Sequence, residues 1–334
     1  MGKYVIKRIC IMALQLIGVV VFVFFILRLL PGDPAIIQAG PFATEEAIEI
    51  TRREMGLDKP LIEQFVVYAK GLMHGDLGKS YVTGNKVWDD LRTRFSATMS
   101  LVIIATLGSV LIAIPIGILQ AIYPNSLFDR IANIYGLLAG SWPDFFVGLL
   151  LIYFFFYILG WAPPPDGKMS PLIIPPRFIT GSYLIDGLLT GNYEAARSAA
   201  SHLILPCTAL IFSYCGVIMK MMRTTMLDVL DSDFIRYANL IGLPKKQVRN
   251  YAIRNALSPV VSLIGIRIGV MIGGSVLIEQ VFSLGGLGQY AVQSAQMSDY
   301  NALTGFLIVA CIITLISLLL VDLIQAALDP RIRY

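Results

Sequence analysis

Residues 9–27 carry no charged side chain. A run of that length is what an α-helix needs to cross bilayer hydrocarbon, roughly 20 residues. Comparable apolar runs recur at 95–128, 131–160, 202–219, 259–278 and 300–321. Backbone amides inside lipid find no water, so such runs fold as helices unless they close a barrel. The fold class this dictates is an all-α membrane protein with six transmembrane helices. Composition agrees: 56% of residues are hydrophobic and 14% charged, against roughly 25% charged in soluble domains. A net charge of +4 is too small and too dispersed for a nucleic-acid partner. Cys10, Cys207, Cys215 and Cys311 all lie in apolar runs without CxxC spacing, and read as small core residues.

Lys3, Lys7 and Arg8 precede the first run as they would in a signal peptide, but the run is too long and lacks a cleavage site, so a retained span is expected. Gly2 fits a myristoylation pattern only in part, with Ile6 at the Ser/Thr position. Residues 1–30 are read as an N-terminal tip plus first span, and 31–94 as a small external helical domain. In it Thr44 caps a helix that opens with Glu45 and Glu46 and ends near Gly56. A second helix starts at Pro60 and stops near Gly75. The membrane-spanning core is 95–327, and 328–334 a short tail. A turn is expected at Tyr123-Pro124-Asn125 and a break at Ser141-Trp142-Pro143-Asp144. The polar loop 166–197 leaves room for one short helix. With the N-terminus inside, inner segments hold Lys3, Lys7, Arg8, Arg130, Lys220, Arg223, Arg236, Lys245, Lys246, Arg249, Arg254, Arg331 and Arg333. The loops after the third and fifth runs hold Lys168, Arg177 and Arg197. The positive-inside rule therefore puts both termini in the cytosol.

The same rule puts residues 231–259 in the cytosol. This stretch reads as two short helices broken at Gly242-Leu243-Pro244. Phe234, Tyr237, Ala238 and Ile241 fall at helical spacing on one face of the first. Val248, Tyr251, Ala252 and Ala256 repeat the pattern in the second, among Lys245, Lys246, Arg249 and Arg254. Gly242 suits a left-handed helix ending, and Pro244 suits the start of the next helix. Two readings stand at this point. The stripe either lies on the chain's own membrane helices or fits a groove on a partner.

The run Arg236-Tyr237-Ala238-Asn239-Leu240-Ile241-Gly242-Leu243, followed by Arg254-Asn255-Ala256-Leu257 and Pro259, resembles the coupling loop of ABC importer permeases, in their peptide/nickel branch. Leu29-Leu30-Pro31-Gly32-Asp33-Pro34, Gly56-Leu57-Asp58-Lys59-Pro60, Gly75-Asp76-Leu77-Gly78, Val276-Leu277-Ile278-Glu279 and Leu328-Asp329-Pro330-Arg331 extend the resemblance over essentially the whole chain. Asn239 and Ile241 depart from it, since the family usually has basic residues there. The resemblance implies a type I importer permease forming half of a translocation pathway in a bacterial or archaeal plasma membrane. It implies a second homologous permease, two ATP-binding subunits that dock on the loop, and an extracytoplasmic solute-binding protein. ATP and Mg would sit on those ATPase subunits, with no cofactor and no enzymatic activity on this chain. The residues carried over as coupling to the ATPase are Arg236, Tyr237, Ala238, Gly242, Leu243, Pro244, Arg254 and Asn255. Di- or oligopeptides are the substrate class implied, with nickel, glutathione and oligosaccharides open.

Gly78-Lys79-Ser80 imitates the end of a P-loop, but Met73 occupies the required glycine position. Gly285-Gly286-Leu287-Gly288 lacks a strand-to-helix context and reads as a tight turn into a short helix at 289–297. Charges inside spans cost roughly 2.5 to 3.5 kcal/mol each at mid-membrane and mark pathways or buried pairs. Asp144 and Arg267 lie at comparable depths. They either pair with each other, or Arg267 pairs with Asp322, or they line the route of a zwitterionic solute. Glu279, at the outer end of the fifth run, and Pro143, which frees backbone carbonyls, join them as pathway candidates. Gly265, Gly269, Gly273 and Gly274 allow close helix approach, either within the chain or to a second subunit. His74 and His202 form no metal-ligand pattern. The rival classes are an ion-coupled secondary transporter, which needs inverted halves and intramembrane carboxylates, and a membrane scaffold.

Overall fold

A computed structural model of the chain describes residues 2–29, 33–40 and 42–328. Residues 30–32 and those from Asp329 onward, which carry parts of two motifs together with Arg331 and Arg333, lie outside the described residues. The elements are α1 (Gly2–Leu29), α2 (Pro34–Ala39), α3 (Glu45–Glu54), α4 (Leu61–Met73), α5 (Val87–Ile122), α6 (Leu127–Ser141) and α7 (Asp144–Leu151), which continues as a π-helical stretch Ile152–Ile158. They are followed by α8 (Tyr183–Thr190), α9 (Tyr193–Leu230), α10 (Asp233–Leu240), α11 (Lys245–Val281), α12 (Leu287–Gln296) and α13 (Tyr300–Leu328). No strand occurs among the described residues, only an isolated bridge between Lys79 and Lys86.

α1, α5, α9, α11 and α13 are long and apolar enough to cross a membrane. The expected third span is different: α6 and α7 meet at 106°. Pro143 has no N–H to offer and holds Trp142 extended, at φ −92° and ψ 133°, so the helix cannot pass through. The expected turn forms after Ile122, with Asn125 at φ 62°. Thr44 caps α3 as expected, its hydroxyl accepting from Ala47 N–H at 3.3 Å. α2 has no counterpart in the sequence reading; Asp33 caps it, accepting from Ala35 N–H at 3.0 Å. Arg52 of α3 pairs with the same carboxylate.

α9 is the axis of the bundle, packed against α5, α6, α7, α8 and α11. Two apolar layers are stacked along it. One joins Leu205, Leu210 and Tyr214 of α9 to Leu101 of α5 and to Met271, Ile272 and Ile278 of α11. The other joins Met219, Met222 and Met226 to Ala113 of α5, Ile235 of α10 and Val248, Ala252 and Ala256 of α11. A third cluster ties α1, α12 and α13 to the start of α5. Cys207 and Cys215 are buried as expected, whereas Cys10 is exposed on α1. The imitation P-loop is a turn fastened to α13, with Ser80 Oγ donating to Asp299 Oδ2 at 2.6 Å.

Candidate functional site

α10 ends at a left-handed Gly242, φ +76°. Leu243 N–H donates to Ala238 O at 3.2 Å and Gly242 N–H to Asn239 O at 3.1 Å, which satisfies carbonyls the helix end would otherwise strand. Pro244 then leads into α11. Contrary to expectation, the second short helix does not exist as a separate element. α11 runs through Pro259 without a break for 37 residues, about 55 Å at helical rise. Pro259 lacks the N–H that would bond Asn255 O, and beside that gap α9 holds the segment, Thr225 Oγ1 donating to Ala256 O at 3.2 Å. The elbow is thus the end of a spanning rod.

The faces of the elbow also differ from expectation. Of the predicted stripe only Ala238 is covered, and it shares the buried face with Ile235, which is 2% exposed. Phe234, Tyr237 and Ile241 are exposed, as is Leu240 at 80%. On α11 the buried positions Val248, Ala252 and Ala256 match the predicted spacing, while Tyr251 faces out. Lys245, Lys246, Arg249, Arg254 and Asn255 are exposed around it. Arg236 reaches only Asp233, at 3.6 Å on an open surface. The result is an uncovered apolar ridge beside basic side chains, on a helix whose opposite face is fastened to α9 and α11. Leu240 was not part of the predicted stripe. Its signal lay in position 240, three residues beyond Tyr237.

The second cluster lies at the α6–α7 corner. Asp144 is the first residue of α7, where a carboxylate is favoured by the helix dipole. Arg267 lies within coulombic reach of Asp144 and of Tyr214. No ion pair joins Asp144 to Arg267 among the described residues. A side chain at Gly274 would meet Tyr214 Oη at 3.0 Å and Asp144 Oδ2 at 3.3 Å, so these groups converge on one glycine of α11. Tyr214 escaped the sequence reading because a tyrosine in an apolar run carries no charge. Asp322, the other partner considered for Arg267, instead pairs with Arg8 of α1 at 2.8 Å.

Glu279 is fully buried. It accepts from Thr98 Oγ1 at 2.6 Å, Gly288 N–H at 2.7 Å and Gln289 N–H at 3.1 Å, capping α12 and joining it to α5. Gly286 and Gly288 are required by this contact, since a Cβ would lie 2.5 and 3.0 Å from Glu279 Oε2. The glycine stripe divides. Gly265 and Gly269 press on Val321 and Thr314 of α13 within the chain, while Gly273 faces open space.

The chain matches two family models: binding-protein-dependent transport system inner membrane component over residues 113–334, and its N-terminal companion over residues 1–102. It is 40% identical over 322 residues to the probable D,D-dipeptide transport system permease protein DdpB of Escherichia coli (strain K12), covering 96% of this chain and 94% of that protein. It is 36% identical over 344 residues to the dipeptide transport system permease protein DppB of the same organism, covering 100% and 99%. With the glutathione transport system permease protein GsiC of Escherichia coli O6:H1 it shares 33% over 335 residues, covering 100% of both.

Proposed function

This chain belongs to the binding-protein-dependent transport system inner membrane components, the multi-pass permeases of ABC transporters, and on that premise we propose that it imports di- or oligopeptides as half of a paired permease. The observation that carries the coupling part of this reading is the uncovered ridge Phe234, Tyr237, Leu240 and Ile241 on α10. A solvated helix gains nothing by exposing four large apolar side chains, whereas an ATP-hydrolysing subunit with a matching groove would cover them. Arg236, Arg254 and Asn255 flank the ridge and orient it, and Gly242 with Leu243 and Pro244 sets the angle between α10 and α11. Closure of two ATPase subunits, which hold ATP and Mg, then moves the elbow. The continuous α11 carries that movement to the level of Arg267 and Asp144. Both termini and the elbow face the cytosol, and an extracytoplasmic binding protein delivers solute at the opposite face.

In the pathway, the Asp144 carboxylate suits the ammonium end of a peptide and the Arg267 guanidinium its carboxylate. Both groups lie on the same stretch of the bundle, Asp144 at the start of α7 and Arg267 within α11, within coulombic reach of each other. Pro143 contributes the corner that exposes them, and Glu279 acts one layer away by holding α12. Uptake of labelled dipeptide by the reconstituted complex tests the reading. Asp144→Asn and Arg267→Gln are expected to lower uptake while complex assembly and basal ATP hydrolysis persist. Uptake that survives ATP removal and collapses with an ion gradient would overturn it. Competition by glutathione, nickel or oligosaccharide separates the substrate classes.

A further inference from the structure

At the end of the bundle opposite the elbow, a cleft of about 300 Å³ opens between the last turn of α1, α4 and the start of α13. Its polar lining includes Arg28, Lys59, Tyr68, Tyr81, Asp76 and Asn301. Arg28 is half-buried, and no carboxylate lies within ion-pairing distance of it among the described residues. It donates from Nε to Gln64 Oε1 at 3.0 Å and from Nη1 to Phe24 O at 3.3 Å, with its guanidinium 3.5 Å over the Phe24 ring. Those contacts fix the group without neutralising it. Tyr68 stacks on Phe24 at 5.5 Å, and its hydroxyl is buried with no hydrogen-bond partner. A buried hydroxyl left unpaired costs about 1 to 3 kcal/mol, so a missing acceptor is the natural explanation. Asp76 is an exposed lining residue whose Oδ1 accepts from Gly78 N–H at 2.9 Å.

An anion answers both features, and the surroundings say which kind. α1 is a lipid-spanning helix, so its last turn lies at the membrane boundary. On α4, Phe65 and Tyr68 pack against Phe24, while Ile62, Val66 and Met73 form an exposed stripe at helical spacing, Met73 at 78%. An exposed apolar stripe beside cationic groups is the pattern of a helix resting in the headgroup layer. Met55, Val67 and Leu77 give the cleft itself an apolar wall.

We propose that this cleft binds the phosphate of an anionic phospholipid, with Arg28 and the Tyr68 and Tyr81 hydroxyls as its donors, Lys59 at the rim, and the acyl chains beside the apolar stripe of α4. Arg28 supplies charge-assisted hydrogen bonds of the strong class. Bound lipid would staple α4 to α1 and α13, so the segment between the first two spans is held by the bilayer as well as by the chain.

The test is native mass spectrometry of the complete transport complex, purified from vesicles of phosphatidylcholine with and without phosphatidylglycerol. Wild type is expected to keep phosphatidylglycerol through delipidation. Arg28→Gln should lower retention roughly fivefold to tenfold, Arg28→Lys should lower it less, and Tyr68→Phe should lower it several-fold with the fold intact. Arg94→Gln, whose guanidinium lies 4.9 Å over Tyr290 outside this cleft, should leave retention unchanged. If Arg28→Gln disturbs the fold, Tyr68→Phe decides alone, because an empty site predicts unchanged retention on losing an orphan hydroxyl. Equal retention in wild type and Tyr68→Phe overturns the proposal. So does displacement of the lipid by inorganic phosphate or a dipeptide at matched concentration, which would make a free anion the ligand.

Discussion

The Arg223 guanidinium grips the Asp129 carboxylate through two hydrogen bonds, Nε to Oδ1 at 2.7 Å and Nη2 to Oδ2 at 2.8 Å. This pair clamps α9 to α6 at the elbow end of the bundle. Asp129 is 2% exposed and also accepts from Gln120 at 3.1 Å, Asn133 at 3.0 Å and Asn125 N–H at 3.0 Å. Every oxygen of the buried carboxylate is therefore satisfied.

Breaking one side of that pair leaves the other charge without compensation. Arg223→Gln is expected to cost about 3 to 5 kcal/mol, read as a lower midpoint in thermal unfolding of the purified complex. Arg223→Lys keeps the charge but loses the two-pronged geometry, and should fall between. An unchanged midpoint in Arg223→Gln would remove the clamp from the account.

Gly242 tests backbone geometry alone, since a side chain there meets nothing within 4 Å. Its φ of +76° costs an ordinary residue about 1 to 2 kcal/mol. Gly242→Asn should be tolerated, Gly242→Val should weaken uptake, and Gly242→Pro, which cannot adopt that φ, should abolish it. Arg254→Ala is expected to act like Gly242→Pro. Membrane abundance on immunoblots should stay constant across the series, and full uptake in Gly242→Pro would contradict the elbow's role.

The Glu279 anchor joins three helices through one carboxylate. Thr98→Val removes its 2.6 Å donor and should cost about 1 to 3 kcal/mol. Gly286→Ala should cost more, because its Cβ would lie 2.5 Å from Glu279 and 2.6 Å from Thr98. Thermal unfolding separates the two, and equal midpoints in wild type and Gly286→Ala would show that α12 can be displaced cheaply.

Asp186 governs a turn in the loop before α9. Burial alone would raise its carboxyl, but Thr180 Oγ1 and N–H at 2.7 and 2.8 Å, Gly181 N–H at 2.9 Å and Ile179 N–H at 3.1 Å hold it below the ordinary carboxylate range. A group depressed in the folded state adds stability above its unfolded value, about 3.9, and loses it as pH falls through the folded value. Wild type should therefore melt above Asp186→Asn at neutral pH, and the gap should close on acidification below about 4. A gap independent of pH would assign the difference to shape and not to charge.

Much of this fold is readable from apolar run length and from a few caps. Residues 9–27 and 300–321 became α1 and α13 because lipid demands helices of that length. Thr44 and the Pro60 start were legible because capping is local. What escaped had partners far along the chain. Glu279 stood out in the sequence only as a charge at the outer end of a run, because Thr98, its donor, is 181 residues away. Pro259 looked like a helix start, since the α9 packing that carries α11 through it is not local. On α10 the periodicity of Phe234, Tyr237 and Ile241 was correct, but periodicity cannot say which of two apolar faces the chain covers itself.

The central claim is that the ridge on α10 seats against an ATP-hydrolysing subunit. The most direct measurement is cysteine crosslinking at Leu240, with Asn239 as a neighbour, in a background lacking the four native cysteines. The account predicts an adduct with the ATPase subunit whose yield changes on adding ATP. Absence of any such adduct in an actively transporting complex, or labelling of Leu240→Cys by an impermeant reagent applied from outside the cell, would contradict it.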